Sequence, residues 1–209
     1  MNQISPPAPQ TEDLRVAAWA EVRDVLELQL APLGRRALAA LAPRSGESVL
    51  DIGCGGGDTA LELARLVAPD GQVVGISVSA AVLAIARRAV EGGDRVRFIQ
   101  ADAQLFPFEP ATLDVAFSRF GVMFFADPAA AFINIRRSLK PNGRLAFVCW
   151  RALEDNPLDI VPLRAASPHL PPQPACVPKA PGPFAFADPR SPARYPGKRR
   201  VRVNRDHCS

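Results

Sequence analysis

Apolar residues between positions 48 and 150 fall into short runs separated by stretches of helical spacing. The runs are Ser48-Val49-Leu50-Asp51-Ile52, Val73-Val74-Gly75-Ile76, Val96-Arg97-Phe98-Ile99, Leu113-Asp114-Val115-Ala116-Phe117 and Leu145-Ala146-Phe147-Val148-Cys149-Trp150. Each is too short for a buried helix and is bounded by turn-forming residues, which predicts five strands. Residues 59–67 have helical spacing, and Thr59 with Glu62 fits a reciprocal cap at the helix start. Ser79 can cap a second helix that ends at Gly92-Gly93. Asp127-Pro128 opens a third, with Phe132, Ile135 and Leu139 on one side and Lys140-Pro141-Asn142-Gly143 as its stop. Upstream, Trp19, Val22, Leu26 and Leu30 recur at helical spacing within residues 11–42, where Pro32 predicts a break at Ala31.

Strand and helix alternate, so the fold class is α/β: a doubly wound, mostly parallel sheet of about five strands with helices on both faces. In such sheets ligands bind beyond the carboxyl ends of the strands, close to the point where strand order reverses. Function is therefore expected just after Ile52, Ile76, Ile99 and Phe117.

Composition refines this picture only at the ends of the chain. Of 209 residues, 48% are hydrophobic and 22% charged, as in ordinary globular proteins, which excludes a wholly disordered or fibrous chain. No apolar run reaches the ~18 residues of a membrane span, and the first residues lack the pattern of a secretory signal. The formal net charge of +4 is concentrated in the last twenty residues, where seven Lys or Arg face one acid, Asp206. The remainder is slightly acidic, so no nucleic-acid partner is expected. Twelve of the 22 prolines lie between Pro157 and Pro196, which predicts irregular structure there. The expected organisation is a disordered N-terminus over residues 1–12, one ligand-binding domain over 13–152, and a proline-rich, then basic, irregular tail over 153–209. The four cysteines (Cys54, Cys149, Cys176, Cys208) lack metal-ligand spacing and read as free thiols of a cytoplasmic protein, with no metal site.

The candidate chemistry lies after the first strand, in Asp51-Ile52-Gly53-Cys54-Gly55-Gly56-Gly57-Asp58-Thr59. Four glycines in five positions exceed what a tight turn needs and leave the backbone open to a ligand. The dinucleotide pattern GxGxxG would need a third glycine at position 58, where Asp58 would repel a pyrophosphate. The spacing GxGxG, through Gly53, Gly55 and Gly57 with Asp51 upstream, resembles the first motif of class I S-adenosylmethionine-dependent methyltransferases. The stretches Gln100-Ala101-Asp102-Ala103, Asp114 to Arg119 and Leu139 to Leu145 are similar to later motifs of that family, so the likeness covers residues 29–150. The resemblance implies a Rossmann-like domain whose cofactor is S-adenosyl-L-methionine. It implies cofactor contacts at Asp51, Gly53, Gly55, Gly57, Ser77, Asp102, Ala103 and Ser118. Asp51 suits a ligand that carries an ammonium group and a sulfonium. Asp102 and Ala103 fall where the family holds the adenine. Within the family the chain resembles the small-molecule group that includes the ubiquinone and menaquinone C-methyltransferases.

Two departures stand out. The family places an acid at the end of the second strand for the ribose hydroxyls, and here that position is Ser77, which predicts affinity weaker by ~1–2 kcal/mol. The family also continues with a helix and two further strands, which are expected to be missing here, as in a member with a truncated or replaced C-terminus. Methyl transfer is an in-line displacement governed by proximity and orientation, so no catalytic side chain is assigned. The acceptor is expected to be a small molecule resting on Phe120, Val122, Met123 and Phe124. A degenerate methyltransferase-like protein with weak or no activity, and a nicotinamide-dependent oxidoreductase, are the alternatives.

Overall fold

The computed structural model describes residues 11–90, 95–170 and 181–188. Its elements in chain order are α1 (Thr11–Leu41), β1 (Ser48–Ile52), α2 (Asp58–Leu66), β2 (Gln72–Ser77), α3 (Ala80–Ala89), β3 (Val96–Gln100), β4 (Leu113–Arg119), α4 (Pro128–Ser138), β5 (Leu139–Val148) and α5 (Pro157–Ala166). The five strands form one parallel sheet in the order β3-β2-β1-β4-β5. The chain therefore leaves β1 toward one edge, returns, and crosses to the other side at β4, which makes the β1/β4 seam the switch point of the sheet.

Alternate residues of each strand feed two separate cores, which is why the runs are apolar throughout rather than alternating. Val49, Val73, Val115 and Phe117 pack with Leu38 and Leu41 of α1 and with Ala60, Leu63 and Ala64 of α2. Leu50, Ile52, Ile76 and Ala116 face the opposite way, against Ala131, Phe132 and Ile135 of α4. Helix α3 opens at Ser79, whose hydroxyl accepts from Val82 N at 3.4 Å. Helix α4 opens at Asp127, whose carboxylate accepts from Ala130 N at 3.0 Å. Arg144 of β5 closes the carboxyl end of α1, donating to the carbonyls of Leu41 and Ala42 at 3.0 Å while pairing with Glu47.

The structure differs from expectation at five places. Helix α1 runs through Pro32 without a break. Helix α2 starts one residue early with Gly57 as its N-cap and no side-chain cap, so Thr59 and Glu62 form no capping box; Thr59 is instead a buried residue at the cleft. Lys140-Pro141-Asn142-Gly143 does end α4, but as an irregularity inside β5, which pairs Leu139 with Leu113 and then Arg144 with Val115. The stretch after Asn156 is not irregular throughout: Pro157 occupies the first helical turn, where its missing N–H is harmless, and α5 extends through Pro162 to Ala166. Finally, Phe186 joins the α4-side core, its ring 6.1 Å from Phe132 and 6.2 Å from Phe147. Gly182 N, bonded to Met123 O at 3.0 Å, holds that segment in place. The Gly92-Gly93 helix stop and the basic tail lie outside the described residues, as do the side chains of residues 11–20, Trp19 included.

Candidate active site

A cleft of about 460 Å³ opens at the carboxyl ends of β1, β2, β3 and β4, at the switch point. Gly53, Gly55, Ser77, Asp102 and Ala103, drawn from three separate strand ends, line it together. Its remaining walls come from α1 (Arg23, Leu26, Glu27, Leu30), from the start of α2 (Asp58, Thr59) and from Arg119, Phe120, Phe124 and Phe125. A volume of this size suits a ligand of nucleoside dimensions.

The three motif glycines serve three different ends. Gly53 (φ +68°) lies against Gly121, and a Cβ there would sit 2.8 Å from the Gly121 Cα. That contact welds the β1 loop to the β4 loop. Gly57 (φ +89°) lies against α3 and β3, and a Cβ would meet Ala86 Cβ and Phe98 Cζ at 3.1 Å. Gly55 (φ +54°) has no atom within 4 Å of its Cβ position. It alone of the three presents bare left-handed backbone to open space in the cleft, which is the arrangement a closely approaching ligand requires.

Asp51 lies beneath this loop, 1% exposed, and neither carboxylate oxygen has a hydrogen-bond partner. Burial raises its carboxyl to about 7, and the nearby Arg119 guanidinium opposes the rise. Asp51 does not itself line the cleft, and a buried carboxyl without a partner is eased either by holding its proton or by a cationic group brought close to it. Asp102 caps its own turn, Oδ1 accepting from Gln104 N at 2.8 Å. Ser77 Oγ makes a long contact of 3.4 Å with Ser79 N.

Ser118 is placed elsewhere. Its hydroxyl, fully buried, donates to Ile52 O at 2.7 Å and accepts from Gly121 N at 3.2 Å, so it ties the β1 and β4 ends together and does not line the cleft. Counting by twos from Ala116 puts Ser118 on the α4 face of the sheet, opposite to Asp51. Of the residues expected to hold an acceptor, Phe120 and Phe124 line the cleft, while Val122 and Met123 are core residues. Phe120 (φ +60°) stacks on Trp150 with ring centres 4.4 Å apart, and Phe124 is half exposed.

Two ion pairs bridge α1 to the cleft floor and had no counterpart in the sequence reading. Arg23 pairs with Asp58, and Glu27 holds Arg119 through both oxygens at 2.8 and 2.5 Å. The signal that could have revealed Arg119 is its parity with Val115 and Phe117, which sets a charged side chain on the buried α1 face of β4. Burial works against that charge, and Glu27, Asp51 and Asp58 more than compensate, so the guanidinium stays charged.

Residues 50–147 match the family described as a methyltransferase domain. The chain is 37% identical over 135 residues to an uncharacterised 37.1 kDa protein in transposon TN4556 of Streptomyces fradiae, a match that covers 64% of this chain and 39% of that protein. It is 40% identical over 112 residues to the demethylmenaquinone methyltransferase of Thermus thermophilus, covering 53% of this chain and 50% of that protein. Among solved structures it resembles phosphoethanolamine N-methyltransferase 2 of Haemonchus contortus in complex with S-adenosyl-L-methionine, with a TM-score of 0.52 and 33% identity, covering 56% of this chain and 27% of that one. The chain thus spans half or less of the length of these curated relatives. No comparison supports the oxidoreductase alternative, and Asp58 at the first turn of α2 stands where a pyrophosphate would have to lie.

Proposed function

We propose that this chain, whose residues 50–147 match a methyltransferase domain, is a class I S-adenosylmethionine-dependent methyltransferase that uses the cleft to transfer a methyl group to a small, flat, apolar acceptor. The observation that carries the reading is the convergence of Gly53, Gly55, Ser77, Asp102 and Ala103 on one cleft, with the orphaned Asp51 carboxylate beneath it. When bound there, S-adenosylmethionine supplies a methyl on a sulfonium centre with a neutral thioether as leaving group. Asp51 would hold its ammonium, Asp102 its adenine amino group and Ser77 a ribose hydroxyl, while the bare backbone of Gly55 lets it approach.

The chain's own part in the reaction is orientation and exclusion of water. Phe120, stacked on Trp150, and the half-exposed Phe124 offer a flat apolar wall to the acceptor. Among the described residues lining the cleft there is no histidine or lysine. Glu27 and Asp58 are paired with arginines, and Asp102 caps its turn. A lining without histidine or lysine suits an electron-rich ring such as a quinol or phenol, whose hydroxyl gives up its proton to solvent more readily than an alcohol does. The likeness to a demethylmenaquinone methyltransferase supports that class.

Calorimetric titration with S-adenosylmethionine, S-adenosylhomocysteine and NADH tests the cofactor. Transfer of tritiated methyl to a naphthoquinol, against phosphoethanolamine as control, tests the acceptor. Micromolar binding of both sulfur ligands and label in the naphthoquinol are expected. Binding of NADH alone would overturn the cofactor reading. Binding of the sulfur ligands without transfer would identify the degenerate alternative, motivated by Ser77.

A further inference from the structure

We infer that the outer face of α1 is the contact surface for a second copy of this chain, with the two α1 helices packed antiparallel about a two-fold axis near Leu28 and Gln29.

Helix α1 has two faces, and both are apolar. On the inner face Leu38 and Leu41 belong to the core, while Leu26 and Leu30 wall the cleft. On the outer face Val22, Val25, Leu28, Pro32 and Leu33 form one stripe, because positions three, four, seven and eleven apart are neighbours on a helix. All five are exposed, Val25 by 58% and Leu28 by 79%. Of the twelve exposed large apolar side chains among the described residues, four lie on this stripe, so it is a patch and not scatter. A surface helix keeps the side away from its core polar, and one that is apolar on both sides is covered on both.

The charges around the stripe say what covers it. Glu21 and Asp24 stand at its amino end and Arg35 and Arg36 at its carboxyl end, all exposed, and none forms an ion pair among the described residues. A helix with acids at one end and bases at the other complements a copy of itself only when that copy is reversed. In a parallel pair Glu21 would meet Glu21 and Arg36 would meet Arg36. Antiparallel about the Leu28–Gln29 axis, Glu21 faces Arg36 of the second copy, Asp24 comes within one turn of Arg35, and Val25 packs on Pro32 beside Leu33. Two-fold symmetry makes each of these contacts twice. Glu21 and Arg36 are separated by about 22 Å of helix, so the contact is small beside a standard interface and the dimer forms at micromolar concentration. The inner face of the same helix carries Arg23 and Glu27 to the cleft, so pairing of the outer faces braces the cleft wall in both copies.

Sedimentation equilibrium of the full chain tests this. Between about 1 and 200 µM the unaltered chain should pass from monomer to dimer without larger species. Val25→Arg sets a cation among the apolar residues on each side of the contact and should weaken the dimer at least about tenfold. Arginine is a better helix former than valine and Val25 is exposed, so the circular dichroism spectrum should be kept. Glu21→Arg and Arg36→Glu should each weaken the dimer about threefold or more, since each turns two attractions into repulsions. Combined in one chain, they should restore the dimer constant to within about twofold of the original, a recovery that a merely sticky patch does not show. A chain that stays monomeric at about 200 µM overturns the proposal. So does a dimer indifferent to Val25→Arg, which places the interface elsewhere, or a double variant weaker than both single ones, which excludes antiparallel pairing.

Discussion

The carboxyl of Asp51 sets the stability of the unliganded protein against its capacity to bind. Burial raises it from its ordinary 3.8 to about 7. A carboxyl whose folded value lies above its unfolded value favours the folded state at low pH, and that advantage is lost as pH rises through the folded value. The ionised form therefore works against folding from about pH 4 upward, and the effect levels off above pH 7. At ~1.4 kcal/mol per tenfold change in proton affinity, the penalty reaches ~4 kcal/mol at pH 8.5, against less than half of that at pH 5. Asparagine is neutral throughout. Its buried amide has a fixed solvation penalty of its own, so the absolute comparison is less telling than the trend. The advantage of Asp51→Asn over the unaltered protein should grow by ~2–3 kcal/mol between pH 5 and pH 8.5, or ~4–10 °C in Tm. Thermal melts followed by circular dichroism at both pH values measure it. A Tm difference that stays constant across this range would refute the argument, because it would mean that the Asp51 carboxylate is solvated or partnered. The same variant should bind S-adenosylhomocysteine at least about tenfold more weakly. A group that destabilises the empty protein and is relieved by a cationic ligand is what a binding residue looks like in free energy.

The glycines separate ligand effects from folding effects. Gly55→Val should abolish S-adenosylhomocysteine binding by calorimetry while the circular dichroism spectrum is kept, since its Cβ meets only open space; an unchanged affinity in the folded variant would remove Gly55 from the site. Gly57→Ala should instead lower Tm by several degrees, because the new methyl crowds Ala86 and Phe98 at 3.1 Å and the left-handed backbone adds ~1–2 kcal/mol of strain. Ser77→Asp should tighten S-adenosylhomocysteine about tenfold, as a carboxylate can accept from both ribose hydroxyls; equal or weaker binding would show that the end of β2 does not face the ribose. Phe186→Ala should cost ~1.5–2.5 kcal/mol, about half the penalty for a fully buried ring, and lower Tm by ~3–10 °C; no change would show that residues 181–188 do not pack on the sheet.

The sheet was legible because each strand has to be apolar on both sides, and a short run such as Val49-Leu50 or Val115-Ala116-Phe117 has no other comfortable place in a soluble protein. The caps at Ser79 and Asp127 were legible because a short polar side chain before a periodic run satisfies donors that are local in sequence. Proline misled in one direction, toward too little helix. Pro32 and Pro162 are tolerated inside helices and Pro157 starts one, so a high density of prolines after residue 156 did not exclude α5. Phe186, an aromatic among prolines that carries no period at all, packs on the α4-side core and gave no signal in the sequence.

The site was legible only as far as its parts lie on strand ends. The glycine loop announces itself because backbone that must run left-handed excludes most side chains. The two ion pairs that bring α1 over the cleft join residues 35 and 92 positions apart, and no spacing rule connects them. Ser118 and Arg119 show where a sharper reading was available. They are adjacent at the end of β4, yet the pleat sends Ser118 to the α4 side, where its hydroxyl ties Ile52 to Gly121, and Arg119 to the α1 side with Asp51. A resemblance carried position by position along a loop assigns the serine to the ligand. The period-two rule, applied to the β1 register through Asp51 and Phe117, places the arginine on the Asp51 face instead, where it lines the cleft. A charged residue on the buried parity of a central strand, opposite an acid on the same parity of its neighbour, is therefore the stronger sequence signal of the two.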